Sequence, residues 1–213
     1  VTSIGDSAFS GTPWLTNKRQ ENSSLVIVNG ILIDGRTCSG EVTIPDGVTN
    51  IGNRAFQDCT GLTSITIPKS VTSIGDSAFL GCSSLTDITI PGSVTSIGDS
   101  AFFECAELTS INIPEGVTSI GKHTFFECAE LTSITIPKSV ISIGEFAFYN
   151  CTGLTSITIP RSVTSIGRCA FSGCSNSLEI TVSCDSTLKK DAFGNASEKV
   201  KYRHSLVKTD AKD

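Results

Sequence analysis

Side chains that could carry out chemistry are few in this sequence. Its two histidines, His123 and His204, lie in segments too far apart to act together, and no serine has a base and an orienting acid nearby. We interpret His123 as a surface substitution. Two successive copies of FFECAEL predict a local acidic patch of Glu104, Glu107, Glu127 and Glu130. Glycosidase carboxylates lie about 5–10 Å apart, but a convex, solvated face offers no cleft for a sugar. The sequence therefore predicts no catalytic residue.

The nine cysteines are the second candidate for chemistry. Six recur every 23 residues, at Cys59, Cys82, Cys105, Cys128, Cys151 and Cys174. Stacked side chains about 4.8 Å apart are close enough for a disulfide, but their Cβ vectors do not converge. We predict buried, reduced thiols acting as small apolar groups. Neither a metal nor a cofactor is predicted, because the chain has no CxxC motif or Cys/His pairing. Cys38, Cys169 and Cys184 lie outside the series, and a Cys169–Cys184 disulfide remains an alternative.

A repeat sets the positions of these side chains. Residues 62–81 read LTSITIPKSVTSIGDSAFLG, and close copies follow without insertion or deletion. The same period of 23 residues separates Pro45, Pro68, Pro91, Pro114, Pro137 and Pro160, and also Phe56, Phe79, Phe102, Phe125, Phe148 and Phe171. Such self-similarity is typical of stacked repeats rather than of one globular core.

Each unit can be divided by its apolar spacing. LxxIxI predicts a short strand in which Ile65 faces inward and Thr66 outward, and the following proline ends it because proline lacks an N–H. VxxI predicts a second inward pair. We expect Gly75 to permit a corner of unusual φ and ψ, and Asp76 to cap one helical turn that carries Phe79 inward. One unit alone cannot fold, because the conformational entropy lost on ordering it outweighs the free energy gained by burying its own apolar side chains.

The motif LxxIxIPxxVxxIGxxAFxxCxx resembles the BspA-like class of bacterial leucine-rich repeats over nearly the whole chain. The resemblance implies a leucine-rich-repeat solenoid, a right-handed β/α superhelix with a parallel β-sheet on its concave face and short helical turns on the other side. It also implies an extracellular or cell-surface location, with adhesion or host-protein binding as the expected role.

We expect one solenoid domain over residues 1–213. Within it, 41–174 form the regular array and 175–213 are degenerate C-terminal repeats and a cap. Residues 16–40 interrupt the period and contain two apolar runs around Asn29-Gly30, which predicts an inserted β-hairpin with Trp14 packing near its base. We expect this hairpin to be dispensable for folding of the units behind it. The start at Val1 inside a repeat, without methionine, suggests a fragment.

Charge and hydropathy narrow the choice of partner. The net charge is −5 and no cluster of lysine or arginine forms a basic stripe, so binding to nucleic acid or to an anionic membrane surface is not predicted. No apolar run approaches the length of a transmembrane helix, so membrane insertion is not predicted. The remaining partner classes are proteins, including host extracellular-matrix proteins, and glycans.

Two rows of side chains are candidate binding surfaces. The outward positions of the predicted sheet carry Ser64, Thr66, Asp87, Thr89, Ser110, Asn112, Ser133 and Thr135. Threonine also simply suits a half-exposed strand, so this row can be purely structural. The positions after the buried phenylalanines carry Leu80, Phe103, Phe126 and Tyr149, between the polar Gln57 and Ser172. These four side chains either tuck between the units or form an apolar interaction surface rimmed by Glu104 and Glu127.

The sequence thus favours a non-catalytic binding module, a fragment of a bacterial surface or secreted adhesin that engages proteins or glycans. The alternative is a structural spacer that presents other domains of a longer protein. A spacer needs no patterned departures from its repeat, whereas a binder concentrates them on one surface. Here the positions after proline and after phenylalanine vary most, which favours binding.

Overall fold

The computed structural model describes residues 4, 8, 9, 11–21, 25–183, 188 and 190–203. In this part of the chain, short strands follow one another with one α-helix and one terminal 3₁₀ helix. The elements in chain order are α1 (Pro13–Glu21), β1 (Val26–Val28), β2 (Ile31–Asp34), β3 (Gly40–Thr43), β4 (Asn50–Ile51), β5 (Leu62–Thr66), β6 (Ser73–Ile74), β7 (Asp87–Thr89), β8 (Ser96–Ile97), β9 (Ser110–Asn112), β10 (Ser119–Ile120), β11 (Ser133–Thr135), β12 (Ser142–Ile143), β13 (Ser156–Ile159), β14 (Ser165–Ile166), β15 (Glu179–Ser183), the 3₁₀ helix (Lys190–Lys199) and β16 (Val200–Arg203).

Each repeat unit contributes one strand to each of two parallel sheets. The LxxIxI strands form the first sheet, in the runs β3-β5-β7, β9-β11 and β13-β15-β16. The VxxI strands form the second sheet, in the runs β2-β4-β6-β8 and β10-β12-β14. Pairing is in register, with Ile65 opposite Ile88. Ile65 is buried and Thr66 is exposed, as the alternation predicts.

The third side of each unit is a chain of turns, not the predicted helical turn. The Gln57 N–H bonds to the Arg54 carbonyl three residues back (3.1 Å), whereas the neighbouring Phe56 N–H bonds to Ala78 on the next unit (2.8 Å). Because alternate amides bond to the adjacent unit, they are unavailable for the internal bonds of a helix. Ser77, which directly precedes the buried Ala78 and Phe79, has a positive φ of 54°. The conformation is therefore fixed by bonding between units.

Gly75 does not supply the left-handed corner that we expected. Its φ is not positive, but a Cβ there would overlap Asn53 Oδ1 and lie 2.7 Å from the Asn53 nitrogen. The glycine is required because the neighbouring unit approaches so closely. Asp76 likewise caps the next unit and not a helix, since its Oδ1 accepts the Asp99 N–H at 2.8 Å. In the same way Asn53 Oδ1 accepts the Asp76 N–H.

The core consists of side-chain columns that run through the units. The buried phenylalanines stack with centroids 5.1 Å apart between Phe56 and Phe79 and 5.6 Å apart between Phe102 and Phe125. The cysteines form a parallel column, and the prediction that they are buried is confirmed. Each thiol from Cys82 to Cys174 also donates to the phenylalanine carbonyl of the preceding unit, as in Cys82 Sγ to Phe56 O at 3.1 Å. Cysteine thus combines apolar volume with a donor.

The three remaining cysteines behave differently from one another. Cys38 was placed outside the series, but it is buried at the end of the same column, where Cys59 Sγ donates to its carbonyl at 2.9 Å. Its spacing concealed this because the first unit is shortened, with Gly35 standing where later units have phenylalanine. A Cβ at Gly35 would lie 2.7 Å from Phe56 Cδ1, so the ring covers that glycine. Cys169 is half-buried, and Cys184 lies outside the described residues.

The N-terminal segment combines a hairpin with a helix that the sequence interpretation missed. β1 and β2 pair antiparallel around Asn29 (φ 50°) and Gly30 (φ 75°). β2 then pairs in parallel with β4, so the hairpin supplies the first strand of the second sheet. Trp14 lies on α1, packs against Phe9 with ring centroids 4.6 Å apart and planes tilted by 35°, and is 38% exposed; its packing against the hairpin stays a prediction.

A buried carboxylate connects α1 to the hairpin. Asp34, at the end of β2, is 1% exposed. It accepts hydrogen bonds from Nε of Arg19 at 2.5 Å and from Nε of Arg36 at 2.6 Å. A second Arg19 nitrogen donates to the other oxygen of Asp34 at 3.0 Å. This hydrogen bonding raises the pKa of Arg19. The pair stabilises the helix against the strand because both oxygens are held by guanidinium donors.

At the C-terminal end, β15 pairs with β13 and β16. Phe193 of the 3₁₀ helix extends the phenylalanine column against Phe171, with centroids 6.3 Å apart. Lys199 Nζ donates to the carbonyls of Cys174 and Ser175. Within the described part of the chain, no helix has the length and apolarity needed to cross a membrane.

Candidate functional site

The first candidate surface lies on the outward face of the first sheet. Register brings Ser64 opposite Asp87 and Thr66 opposite Thr89. It likewise sets Ser110 opposite Ser133, and Asn112 opposite Thr135. All eight side chains are exposed except Ser64, which is half-buried. The result is a polar surface with one residue of each row per unit.

The second candidate surface contains a column of stacked rings. Phe103 and Phe126 stack with centroids 4.5 Å apart and planes at 1°, and Phe126 stacks on Tyr149 at 4.9 Å and 12°. Leu80 occupies the same position on the preceding unit. All four side chains are half-buried, so they neither enter the core fully nor stand free in solvent. At the ends of this column, Gln57 is half-buried and Ser172 is buried.

A second, shorter column lies beside the first and was missed from the sequence. His123 stacks on Phe146 with centroids 5.3 Å apart and planes at 9°. Phe146 meets Tyr149 edge-on at 5.5 Å, and His123 lies 5.8 Å from Phe126, so the two columns form one surface. We call Leu80, Phe103, Phe126, Tyr149, His123 and Phe146 the aromatic surface. His123 is thus a half-buried residue at the surface, but one that stacks with neighbouring rings. The signal was two aromatic residues on successive units at the position of Ser77.

The backbone at this second column is unusual for its side chains. His123 (φ 54°) and Phe146 (φ 53°) both adopt the left-handed conformation. Serine holds the same position in two earlier units, at Ser77 and Ser100. A bulky ring in this conformation costs on the order of 1–3 kcal/mol and persists only where surrounding contacts hold it. Stacking between the two columns supplies such contacts.

Charged groups border the aromatic surface unevenly. Glu104 and Glu127 directly follow Phe103 and Phe126; Glu104 is exposed, and half-buried Glu127 accepts Asn150 Nδ2 at 3.4 Å. Glu107 and Glu130 are exposed a few residues further along. On the other border, the Arg168 guanidinium lies 5.3 Å from the Phe146 ring centroid. Its Nε donates to Glu145 at 2.9 Å, and this hydrogen bond raises the pKa of Arg168.

Metal chemistry finds no support in this arrangement. Among the residues that the structure describes, no group of three or more histidine, cysteine, aspartate or glutamate side chains could hold a metal ion. Burial raises the pKa of the column thiols, to about 12 for Cys82, so they are poor nucleophiles at neutral pH. What the arrangement offers is contact area: stacked rings, a carboxylate border and a polar sheet face.

Comparison with protein families decides the class of this solenoid. The description "BspA type Leucine rich repeat region" matches in six copies, over residues 1–105, 35–132 and 95–208. The chain belongs to the BspA-type leucine-rich-repeat family. The predicted leucine-rich-repeat solenoid is thereby confirmed, although turns replace the expected helical segments. A search of curated proteins found no match.

Solved structures of other bacterial leucine-rich-repeat proteins are similar to this BspA-type chain. A leucine rich cell surface protein from Faecalibacterium prausnitzii is 47% identical over 70% of this chain and 39% of that one, with a TM-score of 0.64. A leucine-rich repeat protein from Eubacterium ventriosum is 31% identical, over 69% of this chain and 47% of that one (TM-score 0.52). The Treponema pallidum leucine rich repeat protein is 27% identical, over 78% and 86% (TM-score 0.61). The chain spans less than half the length of the first two proteins.

Proposed function

We propose that this BspA-type chain is a non-catalytic, protein-binding module of a bacterial surface or secreted protein, and that the aromatic surface makes the contact. The observation that carries the proposal is the pair of stacked columns, which leaves five aromatic side chains half-buried on three successive units. Aromatic side chains at the centre of an interface contribute most of its binding energy. A spacer has no use for such a cluster.

The way the rings stack favours a protein over a glycan at this surface. Sugars bind aromatic side chains through ring faces, but both faces of Phe126 are turned toward Phe103 and Tyr149. Apart from the outer face of Tyr149, which ends the column, the exposed parts are therefore mainly ring edges, which suit apolar side chains of a partner. Glycan contact would instead use hydroxyl and carboxylate groups on the first sheet, such as Thr66 and Asp87. That face supports the glycan alternative.

A cell-surface setting is the natural context for this function. The similar protein from F. prausnitzii is described as a cell surface protein, and the chain shares its repeat type at 47% identity. We therefore propose an extracellular or cell-surface location, with host extracellular-matrix proteins as the first partners to test. The structural-spacer alternative predicts that no substitution on the aromatic surface affects any interaction.

The test compares paired substitutions on the two candidate surfaces. Wild type, Phe103→Ala/Phe126→Ala and Thr66→Ala/Thr89→Ala are applied to immobilised matrix proteins and to a glycan array, with thermal unfolding as the measure of integrity. The aromatic variant should lose protein binding at least tenfold, because two anchors each contribute about 1–2 kcal/mol. The sheet variant should bind normally. Loss only in the sheet variant would move the site to the first sheet.

A folded aromatic variant that binds like wild type would overturn the proposal. A variant that melts far lower and still binds once folded would show that the rings serve the core. Since both residues are half-buried and not fully buried, we expect a modest loss of thermal stability.

A further inference from the structure

We propose that the aromatic surface selects partner segments that carry arginine or lysine next to apolar residues. The inference rests on the proposed function and adds the chemistry of the partner to it. Two observations carry it: a guanidinium already bound within the surface, and a row of carboxylates that lack an ion pair in the structure.

Arg168 shows how the surface accommodates a cation. Its guanidinium lies 5.3 Å from the centroid of the Phe146 ring while its Nε donates to the Glu145 carboxylate. The Arg168 side chain is 75% exposed, so neither burial nor a tight pocket forces it into this position. A cation over a ring face with a carboxylate beside it is a favourable arrangement in water. The chain itself thus provides a pairing of ring, cation and carboxylate.

The longer column also has carboxylates beside its rings, but no cation lies against it. Glu104 and Glu127 directly follow Phe103 and Phe126 in the chain, and the exposed Glu107 and Glu130 follow three residues later. Within the described residues, none of these four carboxylates forms an ion pair. Tyr149 is the last ring of the column, since the next unit carries the small Ser172. Its outer ring face is a second position suited to a cation.

Charge distinguishes a cationic partner from a second copy of this chain. Two copies meeting through their aromatic surfaces would bring Glu104 and Glu127 of each close to the same acidic row of the other. Like charges at an interface oppose association and select against such a pairing. The net charge of −5 adds to this repulsion over longer distances. A partner with basic side chains beside apolar ones satisfies both the rings and the carboxylates.

The experiment uses a fluorescent twelve-residue peptide that alternates arginine with leucine and proline. Its comparison peptide replaces each arginine with citrulline, which keeps the shape and removes the charge. Binding is measured by fluorescence anisotropy with wild type, Glu104→Gln/Glu127→Gln and Phe103→Ala/Phe126→Ala. The matched control is Glu115→Gln/Asp46→Asn, which removes the same charge at exposed positions after the repeat prolines.

Wild type should bind the arginine peptide about tenfold more tightly than the citrulline peptide, the factor expected for one or two cation contacts of about 1 kcal/mol. The glutamate variant should lose most of that difference, whereas the control variant should change by less than about twofold. The aromatic variant should lose binding to both peptides.

Equal binding of the two peptides by wild type, no binding of either, or equal losses in the glutamate and control variants would overturn the charge selectivity. If the aromatic variant still loses matrix-protein binding in that case, the proposed function stands and only the partner chemistry fails. Retained matrix-protein binding by the aromatic variant overturns the proposed function itself. Wild-type dimers that the aromatic substitutions abolish, seen by sedimentation, would assign the surface to a second copy and also overturn the inference.

Discussion

Alkaline pH should unfold this protein through its column of thiols. Burial raises the pKa of Cys82 to about 12 and that of Cys174 to about 11, and holds those of Cys105, Cys128 and Cys151 well above the ordinary value of 9.0. At pH 8 and below these thiols are almost fully protonated in the folded and the unfolded chain alike. Above pH 9 the unfolded thiols ionise first, so stability is lost as the pH rises toward the folded values.

As long as the pH stays below the pKa values of the folded thiols, the loss of stability is set by the ionisation of the thiols in the unfolded chain. An unfolded thiol of pKa 9.0 gains about 1.4 kcal/mol from ionisation at pH 10 and almost nothing at pH 8. The five thiols from Cys82 to Cys174 together therefore remove about 7 kcal/mol between these pH values. That is comparable to the whole stability of a typical domain, about 5–15 kcal/mol.

The assay is urea unfolding followed by circular dichroism at several pH values from 7 to 10, with a reductant present. Cys128→Ser is the control, because serine keeps a donor toward the Phe102 carbonyl, which Cys128 Sγ reaches at 3.2 Å, but does not ionise. Its loss of stability between pH 8 and pH 10 should be smaller than that of wild type by about 1.4 kcal/mol. Equal losses in the two proteins, or a wild type unaffected at pH 10, would refute the reasoning.

Three further predictions concern stability, each measured by urea or thermal unfolding. Gly98→Ala should lower the free energy of unfolding by about 1–3 kcal/mol, because the new Cβ would lie 2.6 Å from the Gly75 carbonyl carbon. Gly92→Ala is the control and should change it by less than about 0.5 kcal/mol, because a Cβ at Gly92 has no atom within 4 Å. Equal effects of the two substitutions would contradict this interpretation. Asp34→Ala should lower the free energy of unfolding by about 1.5–3 kcal/mol, because the charge-assisted hydrogen bonds from Arg19 and Arg36 are lost. An unchanged free energy of unfolding would show that these ion pairs do not stabilise the protein. A fragment starting at Glu41 should melt lower than the full chain, because β2 would no longer pair with β4.

The last of these predictions departs from the sequence-based expectation that the hairpin is dispensable. That expectation treated the hairpin as an addition with its own hydrogen bonds. In the structure, Leu32 of β2 is fully buried in the core and pairs with Ile51 of β4. Removing it would uncover the end of the column at Ile51 and Phe56. An unchanged melting temperature of the fragment would restore the original expectation.

The 23-residue period predicted those features that are determined within a single repeat unit. Because every unit places the same residue type at the same point, the inward isoleucines, the cysteine column and the row from Leu80 to Tyr149 could all be located from spacing. Whether the row tucks between the units or forms a surface was left open by the sequence, and in the structure its side chains are half-buried. Its contribution to binding stays a prediction.

Features that depend on contacts between units could not be obtained this way. The turn side resembles a helix start locally, with Asp76-Ser77 before Ala78, but its amides bond to the next unit. The aromatic surface was only half predicted, because His123 and Phe146 belong to a different row of the repeat. Only the structure shows that the two rows lie side by side.

The helix α1 was not predicted from the sequence for a different reason. Its start carries recognisable signals, with Thr12 accepting the Leu15 N–H through Oγ1 at 3.3 Å and Pro13 in the first helical position. Its polar composition gave no apolar stripe, so no helix was predicted. This helix needs no such stripe, because it buries the single side chain of Leu15 and is tied to the hairpin by the Arg19–Asp34 ion pair.

The identical joints between units have a genetic consequence. Each joint uses the same close glycine contact, the same amide bonds and the same thiol-to-carbonyl bond between adjacent units. A gene duplication or deletion of one 23-residue unit would therefore recreate a joint that already exists, without a new interface having to evolve. Inserted between Phe126 and Tyr149, a copy of the unit would lengthen each of the two columns of the aromatic surface by one ring and keep both of its borders. Copy number could thus vary between related strains as a way of changing the size of a binding surface in a single step.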